Sequence, residues 1–249
     1  MELIIDETFR IDDLQRGGLV LCQKPSSFCF GLDAVLLADF AARRVRANAS
    51  VMDLCTGNGV IPLLLYARRP KLSLCAAELD EEAAALARYN MKKNGLEQRI
   101  FVFHADAKDL PPQAKGPYDA VTVNPPYIPV GSGIPSGKER VSVARHEVAL
   151  TLAEAVKAAY GILKDRGKFF MVHRAHRAAE VLRVMSEQGL EPKLLQFVQA
   201  REGKQANLML VMGVKNAGVW LDVLPPLIVY NNDGAYSRQI NEIYGRTDG

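Results

Sequence analysis

Ser50-Val-Met-Asp-Leu-Cys-Thr-Gly-Asn-Gly59 is an apolar run that ends in two closely spaced glycines, and Val60-Ile-Pro-Leu-Leu-Leu-Tyr-Ala67 follows it directly. The first part reads as a buried strand. The second reads as a helix with Pro62 in its first turn, where a missing backbone N–H costs little. Strand, glycine turn and helix in that order open a βαβ unit, and the pattern continues outward. Residues 71–78 read as a second strand, 80–94 as an Ala-rich helix with Gly95 as its C-cap, 99–104 as a third strand and 118–123 as a fourth. Further on, 151–163 reads as a helix, 167–172 as a strand and 174–188 as a helix. Residues 193–200 and 207–214 read as a hairpin joined through 201–204. Alternating strands and helices predict a doubly wound parallel α/β sheet.

On the N-terminal side, 19–23 reads as a strand after the Gly17-Gly18 turn, and 32–42 as a largely buried helix with Asp33 as N-cap. We expect two parts: an N-terminal cover segment, 1–45, and a main domain, 46–249. The cover either shields one sheet edge or lines the ligand pocket. Glycine, serine and proline dominate 130–140, which predicts a mobile loop. The tail returns with Pro226-Leu-Ile-Val-Tyr230 and closes on a short helix to Tyr244.

Composition narrows the class. With 249 residues and 49% hydrophobic side chains the chain can bury one large core. No run approaches the length of a membrane span, and acids stand where a signal peptide carries bases, so a cytoplasmic protein is expected. The four cysteines form no C-x-x-C pair and have no histidine pattern beside them; reduced, buried thiols are expected and no metal site. Residues 1–129 hold 15 basic and 16 acidic side chains, which leaves 16 and 12 for 130–249. That mild basic bias permits a nucleic-acid partner without demanding one.

The chemistry sits at strand ends. Asp53, Cys55, Thr56, Gly57 and Gly59 follow the first strand, and Glu78 closes the second. Gly57 and Gly59 let a ligand approach the backbone, and Glu78 can accept from two ribose hydroxyls. A dinucleotide site wants a third glycine where Pro62 stands, and a pyrophosphate wants the N–H that Pro62 lacks. S-adenosyl-L-methionine has no phosphate and meets neither objection. Asp106 and the Ala107 N–H, after the third strand, can read an adenine. Asn124-Pro125-Pro126-Tyr127 ends the fourth strand. Two prolines fix the backbone there and leave its carbonyls as a rigid row of acceptors beside an aromatic ring, which suits a planar amine.

Asp53-Leu-Cys-Thr-Gly-Asn-Gly59, Glu78, Asp106 and Asn124-Pro-Pro-Tyr127 together resemble the motif set of class I S-adenosylmethionine-dependent methyltransferases acting on planar amines. The resemblance implies a Rossmann-like methyltransferase sheet of about seven strands with the last antiparallel. It assigns Asn124, Pro125, Pro126 and Tyr127 to catalysis, and Asp33, Asp53, Cys55, Thr56, Gly57, Gly59, Glu78, Asp106, Ala107 and Asn124 to the cofactor. Phe28-x-Phe30-Gly-Leu-Asp33-Ala-Val-Leu-Leu-Ala38, Arg145-His146-Glu147, Tyr230-Asn-Asn-Asp-Gly-x-Tyr236-Ser and Ile243-Tyr244-Gly245 are similar to the bacterial adenine-N6 methyltransferases of valine tRNA. What that implies is a tRNA substrate methylated at an adenine beside the anticodon, with Lys138, Arg140, Arg145 and His146 near its phosphates, and neither a metal nor a membrane. Cys55 departs from the commoner glycine at its position. A protein glutamine amide and guanine N2 stay open as acceptors. The release-factor glutamine methyltransferases carry a helical domain ahead of the catalytic one, and only about 50 residues precede the first strand here. A cofactor-binding protein without transferase activity and a nicotinamide oxidoreductase are the readings outside this class.

Overall fold

The computed structural model describes residues 5–26, 29–125 and 150–246. Its centre is an eight-stranded sheet, ordered β10-β8-β9-β7-β6-β3-β4-β5. The strands are β3 (Ser50–Leu54), β4 (Ser73–Glu78), β5 (Ile100–His104), β6 (Tyr118–Val123), β7 (Leu163–Arg174), β8 (Leu190–Gln199), β9 (Ala206–Lys215) and β10 (Asp222–Ile228). β3 to β7 run parallel; β9 pairs antiparallel with both β7 and β8. Seven strands with the seventh antiparallel are therefore as expected, and β10 adds an eighth, parallel to β8 at the edge. The sequence hid β10 because Pro225 and Pro226 fall inside it. The register shifts between Leu224 and Leu227, and an edge position tolerates the missing donors. Among the described residues, a two-stranded hairpin of β1 (Arg10–Asp13) and β2 (Val20–Gln23) stands apart from the sheet.

Helices cover both faces. α1 (Leu32–Ala42) is buried on nearly every side, which its almost wholly apolar sequence requires, and it packs beside α2 (Val60–Arg68). α3 (Glu81–Lys93), α4 (Leu152–Ile162), α5 (Ala178–Glu187) and α6 (Arg238–Tyr244) complete the layers. Capping explains the boundaries. Asp80 accepts from the Ala83 N–H at the start of α3, and Asn94 is its C-cap with Gly95 left-handed behind it. Thr151 and Glu154 form a reciprocal capping box on α4. Two expectations are corrected. Residues 174–177 belong to the end of β7 and a short 3-10 turn, so α5 begins only at Ala178. Asp33 is not the N-cap of α1: extended Gly31 holds that place, and Asp33 sits in the first turn with its carboxylate turned to other work.

Asp119 ties the N-terminal edge of the sheet together. It accepts from the Ser50 backbone N–H at 2.9 Å and the Ser50 hydroxyl at 3.0 Å. Arg46 lies 3.0 Å away and Lys164 2.9 Å. Burial alone would raise this carboxyl, but the Ser50 and Lys164 bonds outweigh it and hold the group at about 2. A depressed carboxyl contributes stability that is present above its ordinary value and lost as pH falls through the folded one. Asp119→Ala is expected to cost about 2 kcal/mol at pH 7, and the gap to wild type should close between roughly pH 4 and pH 2 in denaturation curves. A gap constant with pH would contradict this.

Candidate active site

The parallel strands deliver their C-terminal ends to one edge, where such sheets bind ligands. After β3 the chain turns through Cys55 at φ 58°, Gly57 at φ 57° and Gly59 at φ 83°. Glu78, the last residue of β4, is buried; it accepts from the Gly57 N–H at 2.8 Å and the Asp80 N–H at 3.0 Å. One carboxylate thus joins the turn after β3 to the turn after β4. The two glycines do different jobs. A Cβ at Gly57 would meet nothing within 4 Å, so that face is open to a ligand. A Cβ at Gly59 would lie 2.5 Å from Met91 Cε and 3.2 Å from Ala87 Cβ, so α3 packs directly beneath it.

Asp53 is wholly buried on β3. Its Oδ1 accepts from the Thr122 hydroxyl at 2.6 Å, across the β3–β6 register. Its Oδ2 and the nearby Thr56 Oγ1 are both buried. Burial raises the Asp53 carboxyl to about 7, the Thr122 and Thr56 hydroxyls pulling it back and the Glu78 charge adding to the rise. Cys55 reports the same field: burial first, then Glu78, Asp53 and Asp106, push its thiol upward. Three acidic side chains therefore act on Cys55, and one of them, Glu78, is bonded to the Gly57 N–H. Such a field disfavours a pyrophosphate and favours a cation.

Asp106, after β5, accepts from the Lys108 N–H at 2.9 Å, with the Lys108 ammonium 3.7 Å from its other oxygen. Ala107 is half-buried beside it. Asn124 follows β6, half-buried, with Pro125 buried behind it. Its Nδ2 donates to Asp33 Oδ2 at 3.4 Å, while Asp33 Oδ1 accepts from the Ala34 N–H at 2.9 Å. The helix that reads in sequence as a cover thus delivers Asp33 to the strand end that carries Asn124. Pro126, Tyr127, Lys138, Arg140, Arg145, His146 and the 130–140 loop lie outside the described residues.

Two supporting residues escaped the sequence reading. Thr122 is the polar residue of the buried Ala120–Val123 half of β6. Asn90, fully buried in α3, donates to the Cys22 and Asn58 carbonyls at 2.9 Å each and accepts from the Cys22 N–H at 2.7 Å. It locks the β1–β2 hairpin and the glycine turn to one helix. An Asn on the Ala face of that helix is the only local signal. His173 is buried and is held at about 4 by burial and then by Arg177, so it stays neutral at pH 7. His104 Nε2 lies 3.0 Å from the Leu79 carbonyl oxygen. Neither belongs to the cleft. A cavity of about 300 Å3 bordered by Arg44, Asp119, Lys164 and Lys168 lies at the opposite, N-terminal edge of the sheet, away from this chemistry.

A family model described as a methyltransferase small domain matches residues 30–199, from the residue before Gly31 to the end of β8. The chain belongs to this family. A relative from Bacteroides thetaiotaomicron named tRNA1(Val) (adenine(37)-N6)-methyltransferase is 30% identical over 76% of this chain and 78% of its own. One of the same name from Aeromonas salmonicida is 29% identical over 83% and 84%. Among solved structures, a predicted O-methyltransferase from Agrobacterium tumefaciens superposes with a TM-score of 0.67 at 22% identity, covering 87% of this chain and 98% of that one. The 16S rRNA N2 G1207 methyltransferase of T. thermophilus gives 0.62 at 18% identity, covering 86% of this chain and 52% of that one. In this methyltransferase, then, the Rossmann-like sheet agrees with the family.

Proposed function

We propose that this protein transfers a methyl group from S-adenosylmethionine to the N6 amine of an adenine in tRNA, next to the anticodon of valine tRNA. The observation that carries the reading is that Asn124 leaves β6 beside the end of β3, one residue past the Leu54–Val123 pair, in a chain whose relatives along most of its length are named for that reaction. A solved neighbour of this fold is titled as a complex with AdoMet and guanosine.

The donor supplies an electrophilic methyl on a positively charged sulfur, and the carboxylates of Asp53, Glu78 and Asp106 complement that charge. Glu78 and the Gly57 backbone would hold the ribose, and Asp106 with the Ala107 N–H the adenine of the donor. Asn124 and Pro125 act on the acceptor. An amine conjugated to a purine ring is a poor nucleophile. The Asn124 side-chain oxygen and the Pro125 carbonyl accept its two N–H groups and favour a more tetrahedral nitrogen. Its lone pair then forms the new N–C bond in line as the C–S bond breaks. The bonding pair stays on sulfur, and the nitrogen gives up one proton to solvent. Asp33 fixes the amide of Asn124 by holding Nδ2. Tyr127 stacks on the flipped base, and no strong general base is required. Lys138, Arg140, Arg145 and His146 would meet tRNA phosphates, a contribution that weakens with salt. A base in an RNA loop costs less to extrude than one in a duplex. Work on tRNA assigns the protein to the cytoplasm. Labelled S-adenosylmethionine is expected to label bulk tRNA from a strain lacking the enzyme. Label in release factors and none in tRNA would overturn the reading.

A further inference from the structure

Three tyrosines near the C-terminus are stacked, and the chemistry above uses none of them. Tyr230 and Tyr236 have ring centroids 5.3 Å apart with planes 12° from parallel. Tyr236 and Tyr244 are 5.7 Å apart at 22°. The Arg246 guanidinium lies beside this pair, 4.9 Å from the Tyr244 centroid and 5.5 Å from that of Tyr236. Tyr236 and Tyr244 are half-buried and hold α6 to the end of β10. Tyr230 is different. It is the open end of the stack, 37% exposed, and among the described residues no second ring or cation covers it.

Topology places that open end. β10 is parallel to β8, and β8 and β7 both run antiparallel to β9, so β10 finishes at the same edge as β6. Tyr230 follows two residues later. Four strand spacings separate β10 from β6, about 19 Å across the sheet, and the register sets Val123 level with Val223 while Tyr230 lies beside Ala200, so Tyr230 and Asn124 are roughly 20–25 Å apart. That is the reach of a few nucleotides of unstacked RNA. The neighbouring hairpin carries Arg201 and Lys204, balanced by Glu202 and by Asp233 of the adjoining turn. Those four charges balance, Arg246 beside Tyr236 and Tyr244 adds one positive charge, and the ring of Tyr230 itself offers stacking.

We infer that Tyr230 is a stacking platform for a second, unpaired base of the RNA whose target adenine lies at Asn124. The inference rests on the RNA reading proposed above. Aromatic faces bind unpaired bases with little regard to sequence, and the pre-stacked Tyr236 and Tyr244 fix the ring before the base arrives. A tyrosine that served only to anchor α6 would need no exposed face.

The test is steady-state kinetics on Tyr230→Ala and Tyr230→Phe with tRNA and S-adenosylmethionine varied separately. Tyr230→Ala is expected to raise KM for tRNA roughly 5- to 100-fold, the usual range for losing one base stack. Its KM for S-adenosylmethionine, its kcat at saturating tRNA and its Tm should stay near wild type. Tyr230→Phe keeps the ring and should behave as wild type. Tyr230→Trp in a Trp220→Phe background adds a spectroscopic readout, with tRNA expected to quench its emission. An unchanged KM for tRNA in Tyr230→Ala, parallel loss of Tm and of S-adenosylmethionine binding, or unquenched emission overturns the inference and leaves the proposed function standing. Wild-type protein that methylates no tRNA overturns both.

Discussion

Asn124→Ala is expected to lower kcat on tRNA by a hundred- to a thousandfold, roughly the cost of removing one preorganised hydrogen-bonding group from a reacting centre. Affinity for S-adenosylmethionine should change little. In the proposed function the donor's charge is met by Asp53, Glu78 and Asp106, while Asn124 addresses the acceptor amine. The side chain ends a buried strand, its backbone is set by Pro125, and its amide is held by Asp33 at 3.4 Å. The side chain is therefore positioned before the substrate arrives, which is the condition for a large effect. Single-turnover rates with equilibrium binding of S-adenosylmethionine separate the two quantities. A variant that loses donor affinity and keeps its single-turnover rate would move Asn124 from the acceptor to the donor.

The second large effect carries two signs. Asp53→Asn should stabilise the free protein at pH 8 and weaken S-adenosylmethionine binding. Burial raises the Asp53 carboxyl from 3.8 to about 7, so the folded state holds a proton that the unfolded chain has released. A raised carboxyl costs nothing below its ordinary value, and the penalty grows as pH climbs to the folded one. At pH 8 it amounts to about 4 kcal/mol at most. The asparagine keeps an oxygen for the Thr122 hydroxyl and carries no charge to bury. For a chain of this length that limit corresponds to a Tm rise of up to roughly 8–16 °C at pH 8, absent near pH 4. The same change removes a carboxylate from a cleft meant for a cation, an expected loss of about 10- to 100-fold in affinity. Scanning calorimetry at the two pH values and titration calorimetry measure both. A Tm that falls at pH 8 would mean that the carboxylate is stabilised in the free protein.

Sites of this kind trade stability for binding, and that trade decides what a sequence discloses. The βαβ rhythm from Ser50 to Val123 was legible because each strand is an apolar run closed by a glycine, an acid or a proline. Its C-terminal ends named Asp53, Gly57, Gly59, Glu78, Asp106 and Asn124 together. β10 was not legible, since Pro225-Pro226 interrupts the pattern that marks a strand and only an edge position admits it. β1 is Arg-Ile-Asp-Asp, too polar to register as a strand, and forms only against β2. The Asp53–Thr122, Asp33–Asn124 and Asn90–Cys22 contacts join residues 69, 91 and 68 positions apart. Nothing local encodes them; they follow from which strands become neighbours. Asp33 illustrates the limit. Its place near the start of an apolar helix suggested a cap, and only the docking of α1 over β7 and β9 brings its carboxylate to Asn124.

Nucleoside mass spectrometry of tRNA incubated with the protein and S-adenosylmethionine tests the central claim most directly. The account predicts N6-methyladenosine in the valine tRNA anticodon-loop fragment with wild-type protein and its loss with Asn124→Ala. Methylation found on guanine N2 or a glutamine amide, with adenine unmodified, would contradict it.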